Sequence, residues 1–127
     1  MVHLVFCLRR LPPLSRADFQ RYWRDTHAPL VALHAGVLGI RRYVQAHTLN
    51  VPEAEAIAAS RGGAEPYDGV AEIWFDLADL SRRMQTPDGM EAAGLLLEDE
   101  RRFIDLPRSP IFLTEDHVVL DGPMTGV

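Results

Sequence analysis

A chain of 127 residues has room for one domain with a respectable core. At 47% apolar and 24% charged, its composition is that of an ordinary globular protein. The net charge of -5 and the scattered arginines speak against a nucleic-acid partner, and no apolar run approaches the length needed to span a membrane.

Cys7 is the only cysteine, which excludes an intrachain disulfide and a Cys-based zinc site. Val2 to Leu8 is too short for a signal peptide and is followed by arginines, so a cytoplasmic location is expected.

Val2–Leu8 reads as a first strand, nearly continuous in apolar character. Leu4, Phe6 and Leu8 share one face; His3, Val5 and Cys7 share the other. After Pro12-Pro13, Ser15 with Asp18 resembles a capping box, so a helix is expected from about Ser15 to His34. On a helical wheel Phe19, Tyr22, Trp23, Thr26, Leu30 and Leu33 form its apolar stripe, with His27 and His34 at the edge. Pro29 offers no N–H to the carbonyl of Asp25, which predicts a kink or restart beside His27.

A second strand is expected from Ile40 to Thr48, with Arg41, Tyr43, Gln45 and His47 alternating against Ile40, Val44 and Ala46. The long connection from Leu49 to Pro66 holds good helix formers behind Pro52, which predicts a short helix or a mobile flap at the cavity mouth. Tyr67–Phe75 is a third strand, with Ala71, Ile73 and Phe75 opposite Val70, Glu72 and Trp74. A helix follows from about Asp76 to Gln85, then an interruption at Pro87-Asp88-Gly89 and a second helical segment from about Met90 to Ile104 containing the acidic run Glu98-Asp99-Glu100. Ile111–Leu120 is the fourth strand, and the tail 121–127 is expected to be loosely attached.

The order β-α-β-β-α-β predicts an α+β, ferredoxin-like sandwich: one domain over 1–127, its four-stranded antiparallel sheet carrying helices on one face. The other face would expose His3, Tyr43, His47, Val70 and Trp74. Two copies pressing such faces together would cover the patch, so a homodimer enclosing a cavity is expected.

Three runs carry a resemblance. They are Phe19-x-x-Tyr22-Trp23-x-x-x-His27-Ala28-Pro29-Leu30, then Gly39-Ile40-Arg41-Arg42-Tyr43, then Tyr67-Asp68-Gly69-Val70-Ala71-Glu72-Ile73-Trp74-Phe75, with Phe103-Ile104-Asp105 and Arg108-Ser109 before the last strand. This pattern resembles the EthD family. The resemblance implies the dimeric α+β barrel. It also implies kinship with proteins of ether degradation and with polyketide-tailoring lyases and dehydratases, and wider kinship with cofactor-free cyclases and monooxygenases.

His27 is the leading candidate for acid/base work, since imidazole moves protons near neutrality. Tyr22, Tyr43 and Trp74 would wall an apolar pocket, the phenols holding a carbonyl or enolate oxygen. Glu72 would orient a histidine, act as a base, or simply pair with an arginine across the sheet. Arg41 or Arg42 would neutralise an enolate or carboxylate, and His3 and His47 would complete the lining. His3, His47 and Glu72 lack any tight ligand spacing, so no metal is expected, and without a P-loop or GxGxxG no cofactor is expected. The expected activity is a small cofactor-independent enzyme acting on an aromatic or polyketide-like carbonyl compound by enolisation, dehydration, cyclisation or oxygenation. The alternative is a non-catalytic module that binds a small apolar molecule.

Overall fold

The computed structural model describes residues 1–125, so the last two positions of the tail lie outside it. Four antiparallel strands form one sheet in the order β2-β3-β1-β4, where β1 is Val2–Leu8, β2 Arg42–His47, β3 Gly69–Phe75 and β4 Ile111–Thr114. The helices are α1 (Arg16–Tyr22), α2 (Ala28–Leu38), α3 (Pro52–Ser60), α4 (Leu77–Arg83) and α5 (Pro87–Glu100). This is the α+β, ferredoxin-like architecture that the element order predicts. Among the described residues no helix is long and apolar enough to cross a membrane.

Ser15 caps α1 by accepting from the Asp18 N–H at 3.1 Å. Between α1 and α2 the chain does not break at Pro29. Trp23–His27 instead form a single wide π-turn, in which the Ala28 N–H reaches back to the Trp23 carbonyl. An extra residue in the turn absorbs the missing donor of Pro29 without a break. The wider turn also redirects the side chains. Phe19, Trp23, His27 and Val31 are buried at intervals of four, while Thr26 is exposed and Leu33 is 74% exposed. His27 is therefore at the centre of the buried stripe rather than at its edge.

Gly39 ends α2 at φ 72°, the left-handed cap that glycine adopts without strain. Pro87 does not interrupt a helix but opens α5 in its first turn, with Thr86 Oγ1 accepting from the Gly89 N–H at 3.0 Å. Strand β4 stops at Thr114, not Leu120. Thr114 pairs with His3, and β1 begins at Val2, so later residues have almost no strand left to pair with.

The register fixes the faces. Tyr43 lies opposite Ile73 and His47 opposite Gly69, so both point toward the helices along with Leu4, Phe6 and Leu8. The expectation that Tyr43 and His47 share the open face with Trp74 is corrected here: the side chains alternate as the sequence predicts, but which set faces inward is decided by the pairing. The open face carries His3, Val5, Cys7, Val44, Val70, Glu72, Trp74 and Phe112.

The core joins Leu8, Phe19, Trp23, Ala71, Phe103 and Ile104. Gly69 makes room for it: a Cβ there would come within 2.5 Å of the Trp23 ring. Asp68, 2% exposed, accepts from the Arg10 N–H at 2.9 Å and from Arg16 Nε at 2.9 Å, tying the entry of β3 to the start of α1.

Candidate functional site

His27 leaves the π-turn pointing at the end of α5. It is 5% exposed, and its Nδ1 lies 2.7 Å from Asp99 Oδ2. The other Asp99 oxygen accepts from the Tyr22 hydroxyl at 2.6 Å and from Arg102 Nη1 at 3.0 Å. Burial alone would push the Asp99 carboxyl up, but the hydrogen bonds from Tyr22, His27 and Arg102 outweigh it and hold Asp99 below the usual carboxylate range. For His27 burial dominates and lowers its pKa, with the Asp99 hydrogen bond and charge opposing. The pair is therefore best described as a carboxylate orienting a neutral imidazole, with Nδ1 as the donor to Asp99.

Among the described residues nothing hydrogen-bonds His27 Nε2, which is left for the cavity that His27 lines. That cavity, about 50 Å³, is walled by Phe6, Leu8, Trp23, Tyr43, Ile73 and Glu100, among others. Through Phe6, Ile73, Leu96 and Glu100, which line both spaces, it adjoins an apolar groove of about 230 Å³ between sheet and helices. Leu38, Ile40, Phe75, Leu80 and Met84 complete most of the groove's walls. The larger space is walled mainly by apolar side chains, and the smaller one lies beside the imidazole.

Two titratable groups share this space with His27. Burial raises the Tyr43 phenol, whose oxygen accepts from Gln45 Nε2 at 2.8 Å. Glu100 is pushed up to about 7, first by burial and then by the negative charge of Asp99, with Arg101 opposing. Consecutive carboxyl groups on one helix end are thus driven apart: Asp99 toward the ion, Glu100 toward the acid.

Of the candidates named from the sequence, His27 and Tyr43 come together in the cavity. The others do not. Tyr22 stands behind Asp99 and lines a separate outer groove with Arg102 and Phe103. His47 faces inward but stacks on Trp23 at 4.4 Å and pairs with Gln45, filling space rather than lining it. His3, Glu72 and Trp74 belong to the open face. There His3 stacks on Trp74 at 4.0 Å, and Asp116 accepts from Trp74 Nε1 at 2.9 Å and meets His3 Nδ1 at 2.8 Å. His3 Nε2 lies 3.2 Å from Glu72 Oε1 but out of hydrogen-bond alignment, and the atom is buried without a hydrogen-bond partner. Arg41 is exposed, and Arg42 rests on the Trp74 ring at 4.9 Å, so neither reaches the cavity. Helix α3 lines its own groove with Thr48 and Pro66 and does not border the His27 cavity. Among the described residues no group of three or more His, Cys, Asp or Glu is placed to hold a metal ion.

Asp99 and Glu100 were missed. The available signal was spacing: Ala92, Leu96, Asp99 and Phe103 recur at helical intervals, which sets a carboxylate in an apolar stripe.

The fold and this site define a small α+β protein whose buried, carboxylate-held histidine opens on an apolar cavity between sheet and helices. The EthD domain model matches residues 11–107, and the chain belongs to the EthD family. No curated protein matches it in sequence. Its fold is shared with an EthD family protein of Bacillus halodurans, at 20% identity and TM-score 0.59, covering 92% of this chain and 99% of that one. A dimeric protein of unknown function and ferredoxin-like fold from Bacteroides fragilis matches at 12% identity and TM-score 0.55, covering 91% and 95%. A variant of SnoaB, a cofactor-independent oxygenase from Streptomyces nogalater, matches at 18% identity and TM-score 0.52, covering 95% and 97%.

Proposed function

We propose that the protein is a cofactor-independent enzyme acting on an aromatic or polyketide-like carbonyl compound, by enolisation, dehydration, cyclisation or oxygenation, in the cavity between sheet and helices. One observation carries this reading: His27 is held by Asp99 through Nδ1, has no hydrogen-bond partner at Nε2 among the described residues, and lines a mostly apolar cavity. A core histidine that merely fills space does not need an ionised carboxylate fixed by Tyr22 and Arg102. In this reading Nε2 removes a proton from a carbon or hydroxyl of the ligand, and Asp99 steadies the imidazolium that forms. Tyr43 shares the cavity and supplies a phenol beside the developing oxyanion. The kinship with a fold that includes SnoaB supports the general kind of chemistry.

The decisive comparison is wild type against His27→Asn. Asparagine keeps a side chain able to bond Asp99 but provides no base. Loss of turnover with an intact fold supports the reading, whereas full turnover with a lowered melting temperature makes His27 a clamp between α5 and the π-turn.

A second reading, a module that binds a small apolar molecule without transforming it, draws on the apolar walls of the 230 Å³ groove. Tight binding that is indifferent to His27→Asn would favour it.

A further inference from the structure

The groove and the cavity beside it share one carboxyl group, Glu100, and among the described residues that line them there is no arginine or lysine. We propose that Glu100 is the proton donor working opposite His27, and that the ligand is an uncharged ketone with a hydrogen on the carbon next to its carbonyl. This rests on the reading of His27 as a base.

The geometry places the two groups from different elements around one space. His27 comes from the π-turn and Glu100 from the last residue of α5, with Phe6, Tyr43, Ile73 and Leu96 as walls. The titratable and charged groups facing Glu100 are His27, Tyr43 and, on its own helix end, Asp99 and Arg101. Asp99 is kept ionised by Tyr22 and Arg102, and its charge helps Glu100 keep a proton. An anionic ligand would meet no cation in the lining, would lose its hydration against apolar walls and would face Asp99 from one residue away. A neutral ketone has none of these costs.

The step balances without a co-reactant. His27 Nε2 takes the proton from the carbon, and the C–H electron pair becomes the carbon–carbon double bond of the enol. The carbonyl π pair moves to oxygen, and oxygen takes the Glu100 proton. His27 leaves as imidazolium and Glu100 as carboxylate, and the reverse transfer or solvent resets both.

The test is hydrogen–deuterium exchange next to the carbonyl, followed by NMR in D2O. The probes are 2-tetralone, a short panel of other neutral bicyclic ketones, and 2-tetralone carrying a ring carboxylate. Wild type is expected to accelerate exchange of neutral ketones and to lose rate as pH rises past about 7, where Glu100 gives up its proton. Glu100→Gln is expected to slow exchange by roughly 10²-fold, in the range for removing a general acid, and to abolish that alkaline limb. The carboxylated ketone is expected to be exchanged far more slowly. Wild-type rate and pH profile in Glu100→Gln would overturn the Glu100 assignment while leaving His27 as the base. Equal rates for charged and neutral ketones would overturn the ligand class. No acceleration of any neutral ketone by wild type would remove the reading on which the proposal rests. Should Glu100→Gln fail to fold, difference infrared spectra of wild type decide the matter. A protonated carboxyl band lost across the same pH interval as activity supports the assignment, and its absence at pH 6 overturns it.

Discussion

The Tyr22 hydroxyl donates to Asp99 Oδ1 at 2.6 Å, and through that contact a residue outside the cavity helps decide the state of the histidine inside it. Asp99 receives Tyr22 and Arg102 on one oxygen and His27 on the other. Tyr22→Phe keeps the ring packed on Phe103 and deletes the donor. The hydrogen bond to a charged acceptor contributes on the order of 1–3 kcal/mol. Because Asp99 is held below its unfolded value, its contribution is present at neutral pH and is lost as pH falls through the folded value. Removing Tyr22's donor raises that folded value, so acid unfolding of Tyr22→Phe should begin at a higher pH. A series of thermal melts across acidic pH checks this; an unchanged acid midpoint would show that Tyr22 does nothing for Asp99.

His27 titrates with the opposite charge but the same pH direction. Its folded value lies below the ordinary imidazole value, so the unfolded chain binds that proton more readily. Stability from this source is present above about pH 6.5 and is lost as pH falls toward the folded value. His27→Asn should remove that part of the pH dependence. NMR titration of the imidazole checks the direction directly, and a His27 value above the ordinary one would reverse the argument.

Glu100 gives the mirror case. A carboxyl raised to about 7 favours the folded state at low pH and loses that advantage as pH climbs from the carboxylate range to about 7. Relative to wild type, Glu100→Gln should therefore gain stability between about pH 5 and pH 8. The gain should be on the order of 1–3 kcal/mol after allowance for partial solvent screening. Denaturant titrations at the two pH values measure it, and a difference that stays constant would mean Glu100 ionises normally.

The open sheet face carries Trp74, with Phe112 49% exposed beside Val5, and a homodimer through it is expected. Sedimentation at micromolar concentration should return twice 14.2 kDa. Trp74→Glu, which adds a carboxylate beside Glu72 and Asp116, should shift the protein to monomer. A wild-type monomer at these concentrations would leave the face as ordinary surface.

Helix α3 contains no buried residue, and its N-cap Val51 makes no side-chain capping bond. Its amides should exchange within the fastest class of the helical amides, well before those of α5. Protection equal to α5 would show a packed element.

Much of the fold was legible because its elements are written in period. The alternation of Tyr43-Val44-Gln45-Ala46-His47 against Gly69 to Phe75 is that of paired strands, and Ser15 with Asp18 marks the start of α1. What periodicity does not contain is pairing. Only the register of Tyr43 with Ile73 reveals that the phenol faces the helices, and that Glu72 and Trp74 do not. His27 could be singled out because an imidazole beside a proline is unusual. Its partner is harder to see: Asp99 is 72 residues away and looks like one acid in a solvated run, unless its helical spacing with Ala92, Leu96 and Phe103 is followed.

The wide turn at Trp23–His27 makes the site depend on how many residues precede it as well as on which they are. The turn holds one residue more than a regular turn, so deleting one exposed residue there, such as Asp25, would leave α1 and α2 close to their present rotation and straighten the chain between them. An inserted residue finds no such slack, and everything downstream would be rotated by about 100° relative to α1. His27 would keep its neighbours in sequence and lose Asp99. Substitutions at Arg24, Asp25 and Thr26 should be borne easily, while single-codon insertions across the same stretch should be purged. The constraint is one of arithmetic, and among relatives it would show as a spacing from Phe19 to His27 that does not lengthen within an otherwise free surface.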